Sequence, residues 1–96
     1  MSIRTVLDAD QRLVLLRSLD DCGGDANESV LQDCLGLYGH NVSRDAVRTH
    51  MAWLSEQGLV QVEDLAGCHV ATLTGRGDDV LNGRATVPGV KKGRRK

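Results

Sequence analysis

Apolar residues recur at three- and four-residue intervals in three segments of the first sixty residues. This spacing places them along one side of an α-helix, so each segment is expected to pack that side against a core. The three predicted helices span residues 10–21, 28–38 and 43–57. Asp8, Asn27 and Ser43 precede them as candidate N-caps, because a short side-chain oxygen can accept a hydrogen bond from an unpaired backbone N–H at a helix start.

After Gly58 the helical spacing stops and β-prone runs follow. The predicted strands span residues 59–62 and 68–73, the hairpin loop between them residues 63–67, and a last short helix residues 75–81. Gly67 supplies the positive φ that such a loop needs, and Thr74 is the candidate N-cap of the last helix. The order helix, helix, helix, hairpin, helix predicts an α+β fold that is mainly α.

The third helix carries the main candidate for function. Its apolar stripe consists of Ala46, Val47, Met51 and Leu54. A turn of about four residues, 39–42, separates it from the second helix, which is typical of a helix-turn-helix arrangement that places the later helix in a DNA major groove. The residues predicted to face the DNA are Ser43, Arg44, Asp45, Arg48 and Thr49.

Arg44 and Arg48 lie one helical turn apart on this predicted exposed side. One of them would contact a phosphate and the other the edge of a guanine, which an arginine can bind with two hydrogen bonds. The alternative is a pair of solvated arginines that interact with Asp45. A carboxylate such as Asp45 is repelled by phosphates, although it can accept a hydrogen bond from a cytosine amino group. Ser43 is fully explained as a cap.

Charge is distributed very unevenly along the chain. Residues 1–83 contain 13 acidic and six basic residues, and residues 84–96 contain six basic residues and no acid. We therefore expect a folded domain over 1–83 and a flexible basic tail over 84–96. The tail would add affinity for DNA by releasing counterions, or serve only to keep the protein soluble. Its predicted DNA contacts are Lys91, Lys92, Arg94, Arg95 and Lys96.

Other function classes find little support in the sequence. It contains no nucleophile beside a base in a known motif and no phosphate-binding glycine loop, so an enzyme is not expected. Cys22, Cys34 and Cys68 lack metal-ligand spacing, which predicts reduced structural thiols, and we expect neither a metal nor another cofactor. No apolar run is long enough for a bilayer, so a cytoplasmic protein is expected. His50 is predicted to pack inside, and Trp53 to cover the base of the hairpin or a dimer contact.

Two segments resemble a known family. Residues Val42, Ser43, Val47, Met51, Leu54, Gly58, Leu59 and Val60 match the recognition helix and following strand of winged helix-turn-helix regulators of the ArsR and MarR type, and residues 73–77 resemble the end of their wing. Residues 83–91 further resemble small winged-helix proteins of Mu-like phages and prophages. The resemblance implies three helices, a two-stranded hairpin wing and a short C-terminal helix, in a homodimeric phage transcription regulator. The ArsR cysteine pair on the recognition helix is absent, so metal sensing is not implied.

Two functions remain open from the sequence. One is binding of double-stranded DNA by residues 43–57 together with the basic tail. The other is a winged-helix module that docks a phage or host protein without touching DNA. The second is favoured by Glu63 and Asp64, which put acidic side chains on a wing that usually carries basic ones.

Overall fold

The structure, a computed structural model, describes residues 2–93 and contains four helices and one three-stranded antiparallel sheet within that range. The elements are α1 (Ile3–Asp21), β1 (Asp25–Asn27), α2 (Glu28–Leu37), α3 (Arg44–Glu56), β2 (Val60–Leu65), β3 (Cys68–Leu73) and α4 (Gly75–Leu81). The strand order is β1-β3-β2. No helix between residues 2 and 93 combines the length and the apolar character needed to cross a membrane.

Three of the four predicted N-caps are confirmed. The side chains of Asn27, Ser43 and Thr74 each accept a hydrogen bond from a backbone N–H three residues later. The prediction for α1 is wrong, because the helix begins at Ile3 behind the cap Ser2 and not behind Asp8. The first two turns of α1 protrude from the core, so their side chains lack the buried stripe on which the prediction rested.

The sheet contains one more strand than predicted. The three residues of β1 pair with β3, and the backbone N–H of Leu73 donates to the carbonyl oxygen of Gly24 at 2.7 Å. The hairpin loop is also shorter than predicted, because β2 continues to Leu65 and the turn contains only Ala66 and Gly67. Both turn residues have positive φ, 55° and 85°, as a tight two-residue hairpin with the twist of its strands requires.

An aliphatic core holds these elements together. Its buried side chains come mainly from α1, α2 and α3, and α4 adds Val80 and Leu81. The core contains Leu13, Val14, Leu15, Leu16, Leu19, Leu31, Leu35, Val47, Met51, Leu54, Leu59, Val60, Ala71, Val80, Leu81 and Val87. Since the core includes the inner side of α3, the opposite side of that helix is left to solvent.

Residues 84–93 lie against the domain, which differs from the flexible tail predicted from their charge. Val87 is buried, and the backbone N–H of Lys91 donates to the carbonyl oxygen of Ala9 in α1 at 3.1 Å. Gly93 is packed so closely against the end of α4 that a side chain would collide with the carbonyl oxygen of Leu81. The segment packs through the buried Val87 and through the closely packed Gly89 and Gly93, and its basic residues do not prevent this packing. The predicted contacts Arg94, Arg95 and Lys96 lie outside the described residues.

Candidate nucleic-acid interface

The exposed side of α3 presents two arginines next to each other. Val47, Met51 and Leu54 are buried on the inner side, and Ser43 fixes the first turn of the helix by accepting from the backbone N–H of Ala46 at 3.1 Å. The side chains of Arg44 and Arg48 keep 47% and 40% of their surface exposed. The predicted orientation of α3 is therefore confirmed, with its apolar side buried and Arg44 and Arg48 on its exposed side.

Arg48 is held by a carboxylate from a different helix. Its Nε donates to Glu28 Oε1 at 2.6 Å and its Nη2 to Glu28 Oε2 at 3.1 Å, a two-point pairing. Glu28 is only 1% exposed, and its Oε2 also accepts from the backbone N–H of His69 at 2.5 Å. The hydrogen bonds from Arg48 and from His69 lower the pKa of Glu28 to about 2, so this carboxylate stays charged at neutral pH.

Arg48 also fastens the hairpin to α3. Its Nη2 donates to the carbonyl oxygen of Gly67, in the hairpin turn, at 3.0 Å. Among the hydrogen bonds within residues 2–93, none uses Nη1 of Arg48, and this group remains available at the surface. Moving the whole guanidinium to a base edge would leave a buried carboxylate unpaired, which is unfavourable. Of the two terminal amino groups of Arg48, the structure thus leaves only Nη1 available for an outside partner.

Arg44 is bound less tightly. Its Nε donates to Gln32 Oε1 at 2.8 Å, and its Nη1 lies 3.9 Å from Glu28 Oε1, beyond hydrogen-bond distance. Both guanidiniums therefore converge on Glu28. Glu28, rather than Asp45, supplies the carboxylate partner of the two arginines. Within residues 2–93 neither terminal amino group of Arg44 makes a hydrogen bond, although Nη1 stays within ion-pair distance of Glu28.

The remaining predicted contacts on α3 contribute less. The Ser43 hydroxyl serves as the helix cap, and the Thr49 hydroxyl donates back to the carbonyl oxygen of Asp45 at 2.9 Å. The Asp45 residue is exposed at the start of the helix. Next to it, the hairpin adds the exposed acids Glu63 and Asp64, of which Asp64 accepts from the backbone N–H of Gly67 at 2.8 Å and so closes the turn. The surface around the two arginines is of mixed charge.

The basic C-terminal residues lie beside α1. Lys91 Nζ is 3.5 Å from Asp10 Oδ1, and Lys92 is exposed. Burial raises the pKa of Asp10, but its hydrogen bond with His40 and the charge of Lys91 outweigh this effect and lower the pKa overall. A cleft of about 320 Å³ separates the N-terminal half of α1 from the first turns of α3. Arg4 of α1 and the start of α3 both line this cleft, so they lie on the same side of the domain.

Two further sequence predictions concern the interior beside α3. His50 is 5% exposed, as predicted. Trp53 contacts α1 and the C-terminal segment: the Arg12 guanidinium lies 4.0 Å from the centre of its ring, and Gly89 packs against the ring edge. Cys22, Cys34 and Cys68 are free thiols. Within residues 2–93 no three His, Cys, Asp or Glu side chains are grouped closely enough to share a metal ion.

Sequence reasoning missed the residues that position the arginines. Glu28 follows the cap Asn27 directly, where an acid is favourable at any helix start, so nothing in the pattern marks it as buried. Gln32 follows one helical turn later, and this four-residue spacing places both side chains on the same side of α2. The spacing is a usable signal only once α2 and α3 are known to be adjacent.

Two protein relatives cover most of the chain. It is 62% identical to gp26 of Escherichia phage Mu over 92 residues, which is 96% of either chain. It is 54% identical to a Haemophilus influenzae protein over 77 residues, covering 79% of this chain and 76% of the relative. Both relatives are uncharacterized proteins. No protein-family model matches the chain.

Solved structures share the fold at low sequence identity. BpsR of Bordetella bronchiseptica, whose DNA binding is regulated by 6-hydroxynicotinic acid, superposes with a TM-score of 0.58 at 20% identity. That match covers 71% of this chain but only 46% of BpsR. A HOP2 structure concerned with DNA recognition and protein interaction domains gives a TM-score of 0.56 at 14% identity, covering 67% of this chain and 98% of HOP2. The chain therefore shares its fold with parts of these two structures.

Proposed function

The chain belongs to the protein family of gp26 from Escherichia phage Mu, and we propose that it is a winged helix-turn-helix protein that binds double-stranded DNA. In this proposal α2 and α3 form the helix-turn-helix and the β2–β3 hairpin is the wing. The protein would regulate transcription of phage or prophage genes, in the cytoplasm where bacterial DNA lies. The likeness of the fold to a DNA-binding regulator supports the proposal.

The observation that carries the proposal is the pair of adjacent guanidiniums on the exposed side of α3. Glu28 orients Arg48 so that Nη1 points away from its internal partners, and Gln32 holds Arg44 by Nε only. The two free amino groups of Arg44 suit the O6 and N7 acceptors of guanine. The single free amino group of Arg48, Nη1, suits one phosphate oxygen. Lys91, Lys92 and the basic residues that follow would add contacts to phosphates.

The proposed DNA role of Arg44 predicts a selective loss on substitution. Arg44→Ala should weaken binding to a site selected from a random duplex library by about tenfold, within the 1–3 kcal/mol that a two-point arginine–guanine contact contributes. Binding to random duplex should change much less, because phosphate contacts do not read sequence. Fluorescence anisotropy with labelled duplexes at two salt concentrations measures both quantities.

A matched control removes the same charge at the other end of α3. Arg76 is exposed, and its Nε donates to the carbonyl oxygen of Gln57, at the C-terminal end of that helix. Arg76→Ala should leave the affinity for the selected site within a factor of two or so. Equal losses in the two variants, or no duplex binding by the unmodified protein at low salt, would contradict the proposal.

We further propose a homodimer, because one recognition helix contacts too few base pairs for useful specificity. The N-terminal half of α1 offers an apolar surface for it: Ile3, Val6 and Leu7 are 78%, 51% and 42% exposed. In a twofold interface each substitution acts twice. Val6→Asp should therefore raise the dimer dissociation constant by at least about tenfold in sedimentation experiments. Leu37→Asp, at an exposed leucine on α2, should leave it unchanged; a monomeric unmodified protein would refute the dimer.

A second candidate function is docking of a phage or host protein on the same surface. The specific observation in its favour is the charge of the wing, where Glu63 and Asp64 are exposed and Glu28 neutralises Arg48. A surface of mixed charge suits a protein partner better than a polyanion. Absence of duplex binding at low salt, together with retention of a phage or host protein that Arg44→Ala no longer retains, would favour this candidate.

A further inference from the structure

A chain of hydrogen bonds runs through the interior from the C-terminal segment to the turn before α3. Arg12 Nε donates to His50 Nδ1 at 3.2 Å, and His50 Nε2 lies 2.8 Å from Gln11 Oε1. Gln11 Nε2 lies 3.4 Å from His40 Nδ1, and His40 Nε2 lies 2.7 Å from Asp10 Oδ2. The chain thus joins α1, α3 and the turn between α2 and α3.

The chemistry of its ends fixes the direction of every bond. An arginine can only donate, so His50 Nδ1 must accept, and His50 is neutral with its proton on Nε2. That proton goes to Gln11 Oε1, which leaves the amide nitrogen of Gln11 to donate to His40 Nδ1. His40 then donates from Nε2 to the carboxylate of Asp10. Adding one proton to His50 breaks this order at the Arg12 end.

Arg12 is also the central attachment of the C-terminal segment. Its Nη1 donates to the carbonyl oxygen of Gly89 at 3.0 Å, and its guanidinium stacks on Trp53. Gly89 lies so close to Trp53 that any side chain at this position would collide with the ring. Arg12 therefore links Gly89 of the C-terminal segment to Trp53.

We propose that protonation of His50 acts as a switch that displaces Arg12 and loosens the C-terminal segment from Trp53. With a proton on Nδ1, the ring would present a donor and a positive charge to the donor and charge of Arg12, where the two nitrogens now lie 3.2 Å apart. The other side of the ring would stay in place, because Asp8 Oδ1 lies 3.8 Å from Nε2 and attracts the charged ring. This inference does not depend on DNA binding.

The surroundings of His50 set the pH range of the switch. Burial, and next the charge of Arg12, lower the pKa of His50 below its ordinary value of 6.5, so the neutral form and the closed segment prevail at neutral pH. The charged and titratable groups that face it are Arg4, Asp8 and Arg12 of α1 and His40 of the turn. Lys91 of the C-terminal segment faces Asp10 at the far end of the chain of bonds. Opening is expected as the pH falls below 6.5, where the open form binds the proton more readily.

Trp53 reports on the switch directly, because it is the single tryptophan of the chain. In the full-length protein we expect its emission to shift to longer wavelength, and quenching by acrylamide to increase, between about pH 8 and pH 5. Far-UV circular dichroism should stay constant over this range, since only the segment opens. Constant emission down to pH 5, or emission that changes only together with the loss of helical signal, would overturn the proposal.

Substitutions assign the transition to one group. His50→Gln should abolish the shift, because a glutamine can accept from Arg12 and donate to Gln11 but does not titrate in this range. His40→Gln and His69→Gln should retain it. Arg12→Leu should give the shifted emission already at pH 8. Persistence of the pH-dependent shift in His50→Gln, or unshifted emission of Arg12→Leu at pH 8, would refute the mechanism even if a variant binds DNA normally.

Discussion

Gly77→Ala is expected to destabilise the domain by about 2 kcal/mol, which lowers the midpoint of thermal unfolding by roughly 10 °C. A Cβ at Gly77 would collide with the carbonyl oxygen of Leu59 and come within 2.8 Å of a Leu73 methyl group. The carbonyl cannot move aside freely, because it accepts from the backbone N–H of Thr74 at 3.1 Å. Thermal unfolding followed by circular dichroism measures the change.

The same helix supplies the control for this prediction. Gly75 is the first residue of α4, and a Cβ there would meet nothing within 4 Å. Gly75→Ala should leave stability unchanged or raise it by up to about 1 kcal/mol, since alanine is the better helix former. If both variants unfold at the same temperature as the unmodified protein, α4 does not pack against Leu59 and Leu73 as the structure has it.

Glu28→Gln is expected to be the most damaging substitution on the candidate interface. A glutamine keeps one acceptor but turns its other end into a donor, which would face either Arg48 Nε or both Arg48 Nη2 and the backbone N–H of His69. The links from Glu28 to Arg48 and to the hairpin would weaken, and the midpoint of thermal unfolding at neutral pH should fall by several degrees. Glu56→Gln makes the same charge change at an exposed position on α3 and should have little effect.

The acid sensitivity of Glu28 has a defined sign. Its pKa in the fold is about 2 against an ordinary value of 4.5, so its contribution to stability is complete above pH 4.5 and is lost as the pH falls towards 2. The difference in stability between the unmodified protein and Glu28→Gln should narrow over that range. A difference that stays constant from pH 6 to about pH 2.5 would show that Glu28 is not the ionised partner of Arg48.

DNA binding gives Glu28→Gln a second readout. The variant leaves the charge of Arg48 uncompensated beside Arg44, so its affinity for random duplex should increase relative to Glu56→Gln. Lower stability with tighter binding is a combination that simple unfolding would not produce. Lower stability with unchanged binding would mean that the paired arginines do not approach DNA.

Local chemistry was sufficient to place most of the helices. Asn27, Ser43 and Thr74 each begin a helix in the predicted place, because a cap acts on a backbone N–H only three residues away. The buried side of α3 was predicted equally well from the helical spacing of its apolar residues. The prediction for α1 failed where the same method had no signal, since the residues from Ile3 to Leu7 are exposed and show no buried stripe.

The candidate interface was only half predictable. That Arg44 and Arg48 share the outer side of α3 follows from a four-residue spacing. That both converge on Glu28 could not be foreseen, because Glu28 is 20 residues from Arg48 in sequence and the pairing depends on how α2 packs against α3. The pairing bears on the proposed DNA binding, since it leaves two terminal amino groups of Arg44 but only one of Arg48 without a hydrogen bond among residues 2–93.

Caps, helical spacing and turn glycines act over a few residues, so the chain's own order of amino acids was enough to specify α2, α3, α4 and the existence of the hairpin. Contacts between distant residues settled the rest: the pairing of β1 with β3, the attachment of residues 84–93 to α1 and Trp53, and the burial of Glu28. These features depend on surfaces that come together only after the helices have packed. No local pattern encodes which partner a buried charge will meet.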